Sequence, residues 1–289
     1  MLELLEFAFM RRALAAALLV GFAAPLVGIF IVQRRLALIG DGMGHVALTG
    51  VAIGLLTSRQ PVLTALAVTV VAAVVIELVR ARGRTSGDVV LAIMFYGGIA
   101  GGVVLVSKAQ GGAATLNTYL FGAITTTTAD DLAVFAVLAA VLVLAVAGLG
   151  RQLFLVSEDE EFARAAGMPV LRYNILLVVL VAVTVVLSMR IVGLLLISAL
   201  MVVPVATAQL VAPSFRATLA LAVALGLGAS VGGVVLSYSW NTPSGGTIVI
   251  LAVGVFALVA AVTAVADRRR RTVELLPQAQ EAPAPTPPA

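Results

Sequence analysis

The 289-residue chain contains one histidine, His45. It lies four residues after Asp41 in the apolar run Leu36-Ala-Leu-Ile-Gly-Asp-Gly-Met-Gly-His-Val-Ala-Leu-Thr-Gly-Val-Ala-Ile-Gly-Leu-Leu56. Residues four apart share one face of a helix, so this spacing brings a carboxylate and an imidazole together. Ionisable groups in a membrane-length apolar segment are costly and mark either a substrate path or an internally paired site. One oxygen donor and one nitrogen donor suit a divalent transition metal such as zinc or manganese. Two side chains are too few for a closed four-coordinate site. That is compatible with an ion that must leave again, with a second copy of the chain or backbone carbonyls and water completing the shell.

The elements that position this pair are membrane spans. Apolar residues make up 62% of the chain and charged residues 11%, against roughly 45–50% and about 25% in soluble domains. Nine spans are expected, with eight to ten as the range: Ala13–Val32, Leu36–Thr57, Pro61–Val79, Val89–Ser107, Leu132–Gly150, Asn174–Ser188, Ile191–Val211, Ala217–Ser237 and Thr247–Ala266. The fold class is therefore an all-α polytopic membrane protein. The first segment is as long as the later ones and lacks a small-x-small cleavage pattern, so it is expected to be retained. The chain has no cysteine, which excludes disulfides and thiolate metal sites.

Arginine placement sets the expected direction. One set of connections carries Arg34-Arg35, Arg80, Arg82, Arg84, Arg151, Arg164, Arg172, Arg216 and Arg268 to Arg271. The opposite set carries Arg11-Arg12, Arg59, Lys108 and Arg190. The richer set is expected in the cytoplasm, which places the N-terminus outside and the C-terminus inside. The net charge of +4 thus reports orientation, and no nucleic-acid partner is expected.

Other features qualify the spans. Gly97, Gly98, Gly101, Gly102, Gly226, Gly228, Gly232 and Gly233 are expected at close helix contacts. Pro204 is expected to break or kink its helix. Thr49, Ser198 and Gln209 read as interhelical hydrogen bonders, and Glu77 with Arg80 as an interfacial ion pair. Thr115–Ile124 reads as a re-entrant or interfacial helix. Residues 1–271 form the membrane domain, and residues 272–289 are expected to be a disordered Pro/Ala-rich tail.

One hydrophilic stretch stands out between spans, Ser157-Glu-Asp-Glu-Glu-Phe-Ala-Arg-Ala-Ala-Gly-Met-Pro169. It predicts a short helix with Ser157 as N-cap and Glu160 completing a capping box. Glu158, Asp159, Glu160 and Glu161 fall in its first turn, where the helix dipole favours negative charge. Gly167 would close it in a left-handed cap, and Pro169 prevents continuation. Phe162, Ala163 and Ala166 would form an apolar docking face for a soluble partner; a solvated connector is the plainer alternative. Gly83-Arg-Thr-Ser-Gly-Asp88 lacks the Gly-x4-Gly-Lys-Ser/Thr pattern of a phosphate-binding loop. The chain is therefore not expected to be an enzyme, and any ATP-driven work falls to another polypeptide.

These residues resemble the permease subunits of zinc/manganese-type ABC importers, the ABC-3 permease family. The resemblance runs from about Phe9 to Asp267. It is carried by Arg35–Ala52, Leu120-Phe-Gly122, Glu161–Gly167, Val192–Leu196, Val203–Ala208 and Pro243–Val249. Gly42-Met-Gly44 departs from relatives that have bulkier or hydroxyl residues before the histidine, and Gly40, Gly42 and Gly44 are expected to loosen that helix turn. The resemblance implies a permease-like helical bundle acting as a homodimer in the inner or plasma membrane of a prokaryote. It further implies cytoplasmic ATPase subunits on the acidic helix and an extracellular metal-binding receptor protein. Asp41 and His45 match the positions that hold the ion; zinc is the first expectation, with manganese or iron as the others. No permanently bound cofactor is implied. The competing class is a secondary, proton-coupled metal transporter using the same pair as a relay.

Overall fold

In hydrocarbon a chain must pair every main-chain N–H and C=O internally, and a helix does so within one segment. The computed structural model of the protein describes residues 6–83, 87–109, 118–122, 128–189, 192–194 and 197–275. Among them are ten helices: α1 (Ala8–Gln33), α2 (Ile39–Leu56), α3 (Pro61–Ala81), α4 (Gly87–Val106), α5 (Ala129–Glu158), α6 (Glu160–Ala165), α7 (Val170–Ser188), α8 (Ile197–Gln209), α9 (Phe215–Trp240) and α10 (Ser244–Leu275). Eight are long and apolar enough to cross a membrane; α8 is shorter.

Among the described residues of the expected seventh span, Ile191–Val211, the helix covers Ile197–Gln209. Thirteen residues reach about 20 Å at the helical rise, less than the ~30 Å of a hydrocarbon core. The chain before α8 instead passes through Gly193 at φ +87°, and the Leu194 N–H donates to the Tyr119 carbonyl. A helical turn at 118–121 therefore takes over a backbone bond that a continuous helix would have made. The rest of the expected interfacial helix at 115–124 lies outside the described residues. Helix α8 continues across Pro204. Helix α10 runs through the expected start of the tail to Leu275, and residues 276–289 are outside the described set.

Burial sorts the helices. Most residues of α1, α2 and α7 are inside the bundle, whereas α3, α4, α5, α9 and α10 expose most of theirs. Helix α1 packs against α5, α7, α8 and α9, and α2 lies between α3 and α4 with α7 and α8 behind it. The interior is built from small and medium side chains, including Ala13, Ala16, Ala17, Val20 and Ala24 on α1, around Phe30, Phe135 and Met43. The outward side chains are apolar as well, among them Val71, Ile93, Leu144 and Ile250. A helix apolar on all sides is stable where its outer face meets lipid.

The arginine-rich end holds buried charge. Glu77 on α3 is 2% exposed and accepts two bonds from Arg80, at 2.9 and 2.8 Å. This is the expected ion pair in bidentate form, the geometry that best offsets desolvation. Removing one partner should therefore cost more than removing both. We expect Arg80→Ala to lower stability by roughly 3 kcal/mol, through an uncompensated buried carboxylate. The added change Glu77→Gln should recover a large part of that loss in a thermal unfolding series in detergent. Equal stability of the single and double variants would contradict this account.

Candidate functional site

Asp41 and His45 lie in the first two turns of α2. His45 is 8% exposed, and its ring packs on Phe95 of α4 with centroids 4.2 Å apart. Its Nδ1 lies 2.7 Å from the Asp41 main-chain carbonyl oxygen. A carbonyl can only accept, so Nδ1 carries the proton in this bond, which leaves Nε2 as the ring nitrogen with a lone pair to donate in the Nδ1–H tautomer. That arrangement, one ring nitrogen tied to a carbonyl and the other free, is the usual one for a metal-ligating histidine.

The Asp41 carboxylate is held from elsewhere. The Ser198 hydroxyl of α8 donates to Asp41 Oδ1 at 2.5 Å, across 157 residues of sequence. The two side chains expected to converge are therefore fixed by different partners, and one carboxylate oxygen remains for another ligand. Sequence reasoning placed Ser198 among the interhelical hydrogen bonders without its partner. Its only signal is a hydroxyl at the start of an interrupted apolar segment. Thr49 meets the same expectation, donating to the Gly98 carbonyl of α4 at 2.9 Å.

The glycines around the pair are contact points. A Cβ on Gly40 would lie 2.8 Å from Ser198 Oγ, and one on Gly98 would lie 2.6 Å from the His45 carbonyl carbon. Bare backbone at these places lets α8 reach the carboxylate and lets α4 close over the imidazole. The expected loosening of the turn is not observed: α2 is a continuous helix from Ile39 to Leu56. Packing on both sides supplies the rigidity that glycine lacks intrinsically. Among the described residues no third histidine, aspartate or glutamate joins the pair.

The hydrophilic connector differs from its expected form at one end. Helix α5 runs on through Ser157 to Glu158, so the N-cap of α6 is Asp159, which accepts from the Phe162 N–H at 2.8 Å. Ser157 is instead buried in the last turn of α5. Aspartate and serine both cap well, and Asp159 takes the extended φ/ψ that a cap needs, −146° and 100°. The C-terminal end is as expected. Gly167 adopts φ +78°, and the Met168 N–H bonds back to the Ala163 carbonyl at 3.0 Å, the long bond of a Schellman motif.

The side chains of this segment divide by role. Ala163 is fully buried against Val156 and Val170, so it belongs to the bundle and not to an outward face. Glu160 pairs with Arg34 and Arg164, at 2.9 and 3.0 Å, and Glu158 accepts from Gln33 at 2.8 Å. Burial lowers the pKa of the Arg34 guanidinium from its ordinary value; Arg80 adds to this, and Glu160 and Glu77 act against it. Phe162 is 59% exposed, and Glu161, Ala166 and Gly167 are exposed beside it.

The fold, with eight helices long and apolar enough to cross a membrane, is that of a multi-pass membrane protein. A model of the ABC 3 transport family matches residues 6–263, so the chain belongs to that family, as a permease of the metal-ion importer type its sequence resembles. It is 33% identical over 251 residues to the manganese import system permease protein ScaB of Streptococcus gordonii, covering 87% of this chain and 90% of that one. It is 28% identical over 253 residues to the high-affinity zinc uptake system membrane protein ZnuB of Haemophilus influenzae, covering 86% and 97%. Among solved structures it is similar to PsaBC from Streptococcus pneumoniae in complex with Fab, at 33% identity and a TM-score of 0.81, covering 89% of this chain and 92% of that one.

Ser198→Ala would leave Asp41 Oδ1 without its hydroxyl. A hydrogen bond to a charged group is worth about 1.5–3 kcal/mol, so stability in a thermal unfolding series in detergent should fall by about that amount. Ser198→Thr keeps the donor and should retain most of the stability. Unchanged stability of Ser198→Ala would show that the bond does not hold the carboxylate.

Proposed function

We propose that this permease carries a divalent transition metal, zinc or manganese, into the cytoplasm through Asp41 and His45, driven by a separate ATPase. The observation that carries this reading is the free Nε2 of a buried histidine whose Nδ1–H is tied to a carbonyl, one turn from a half-buried carboxylate. The pair offers one nitrogen and one oxygen donor to a cation that has shed part of its water. Intermediate ligands of this kind suit both zinc and manganese. The donor set leans to zinc, and the likeness to a manganese permease at 33% identity leans the other way. Competition between the two ions for uptake decides between them.

Two ligands per chain hold an ion loosely, and loose binding is what a transport path requires. A second copy of the chain, related by a two-fold axis, could supply two more. The apolar outer face of α4, with Ile93 and Tyr96 mostly exposed, is available for burial in such a dimer or in lipid. In the proposed orientation the arginine-rich end faces the cytoplasm of a prokaryotic cell, with the N-terminus outside and the C-terminus inside. A receptor protein would deliver the ion on the outer side. The ATPase would dock at α6, where Phe162 projects from a helix capped at both ends, beside Glu161 and Ala166. Glu158, Asp159, Glu160 and Ala163 serve the internal structure of that segment.

Asp41→Asn and His45→Ala should each reduce metal uptake to near background while the protein still reaches the membrane. Asp41→Asn keeps the shape and removes only the charge. Wild-type uptake by His45→Ala would refute the assignment of the pair.

Phe162→Asp should weaken co-purification of the ATPase and abolish uptake, because a charge would be buried without a partner in the docked complex. Gly167→Val should act similarly through the cap, since a β-branched residue resists the left-handed conformation by about 1–2 kcal/mol. Uptake that persists without any ATPase, driven by a proton gradient in liposomes, would instead establish a secondary carrier.

A further inference from the structure

The connection between α1 and α2 has almost no slack. Arg34 caps α1, Arg35 takes φ +57°, and the Arg35 and Leu36 N–H groups bond back to the Val32 and Ile31 carbonyls at 3.1 and 3.0 Å. These are the two bonds of a Schellman motif, with arginine where glycine is usual. Ile39 N–H then bonds to Leu36 O at 3.0 Å and Gly42 N–H to Leu38 O at 3.2 Å. A continuous ladder of backbone bonds thus runs from the end of α1 to the turn that carries Asp41. At the other end of this ladder the Arg34 side chain is 5% exposed and reaches Glu160 of α6 at 2.9 Å. Gln33 makes a parallel bond to Glu158 at 2.8 Å.

Helix α6 is otherwise lightly attached. Ala163 packs against Val156 and Val170, and another side of the helix borders a polar cavity of about 280 Å³ shared with Glu77, Arg80 and Asn174. The cavity lies between α3, α6 and α7 and gives the helix room to shift. A displacement of α6 would therefore be felt at α1 through the Arg34–Glu160 pair. The bonded turn would pass it on within seven residues.

We propose that Arg34 is a positioning residue for transport: its ion pair with Glu160 ties the short helix α6 to the rigid α1–α2 turn, so that movement of α6 resets Asp41. The inference rests on the reading of α6 as the ATPase docking site. Arg34 touches neither the metal site nor the exposed face of α6. Its effect is on the coupling between them.

The test is a double-mutant cycle on the full chain co-expressed with its ATPase, reading metal uptake, ATP hydrolysis and ATPase co-purification together. Arg34→Gln should leave co-purification and hydrolysis within about twofold of wild type while uptake falls by at least roughly tenfold, a coupling of about 1.4 kcal/mol. Glu160→Gln should lower uptake similarly, and the double variant should be no worse than the weaker single. Arg34→Lys keeps the cation without the guanidinium fork and should retain uptake within about threefold if the pair is the coupling element. Additive losses in the cycle, full uptake by Arg34→Gln, or a loss in Arg34→Lys as deep as in a non-accumulating Arg34→Gln would each overturn the proposal. Uptake by the wild-type chain independent of the ATPase would overturn the docking reading itself, and the wild-type control shows this separately.

Discussion

A carboxylate and an imidazole in an apolar helix have to be solvated by something other than bulk water. An isolated ionised group moved into hydrocarbon costs several kcal/mol even after relaxation, and the protein offsets this with local dipoles. The Asp41 main-chain carbonyl accepts from the imidazole, and the Ser198 hydroxyl donates to the carboxylate. Each bond points one polar group inward and leaves one ligand atom over. The same two bonds that make the pair tolerable in the bundle leave it unsaturated.

Much of the surrounding architecture follows from bringing those partners within reach. Ser198 can approach only because α8 begins in mid-bundle, after a backbone break at Gly193 that the turn at 118–121 satisfies. It can approach α2 that closely only where Gly40 carries no Cβ. On the other side Gly98 lets α4 lie against the His45 backbone, which sets the Phe95 ring on the imidazole. Without a hydrophobic driving force between helices in lipid, close backbone approach and interhelical hydrogen bonds are the available cohesive terms. The site and the packing of α2 therefore share the same residues, and substitutions there affect both.

Legibility in the sequence tracked the range of each interaction. Eight of the nine expected spans, the Gly167 cap and the Glu77–Arg80 pair are local, set by residues within a turn or two, and were readable. The partner of Asp41 was not, because Ser198 is 157 positions away and a hydroxyl in an apolar helix has many possible roles. Choosing Ser157 as the N-cap failed for a different reason. Serine and aspartate cap almost equally well, and only the tertiary demand that α5 run on past Ser157 selects Asp159. The full-length reading of the seventh span failed because hydropathy does not register a backbone break. Val192–Leu194 is as apolar as the helices beside it. The glycines of α2 were read for their intrinsic flexibility, whereas their contacts with α4 and α8 govern.

The arginine-rich end obeys the opposite logic to the Asp41–His45 pair. There the carboxylates are saturated: both Glu77 oxygens face Arg80, and both Glu160 oxygens have guanidinium partners, although Arg34 Nη1 is buried without a partner among the described residues. Saturation makes a stiff, charge-paired frame, and the arginine at the left-handed position of the α1–α2 turn shows that the frame sustains backbone strain of about 1 kcal/mol. The carboxylates beside Arg34 and Arg80 are thus spent on guanidinium groups, whereas the Asp41–His45 pair keeps two atoms free. A transport protein needs that contrast. An ion can be exchanged only where donors are left over, and force can be transmitted only through groups that have no alternative partner to relax toward.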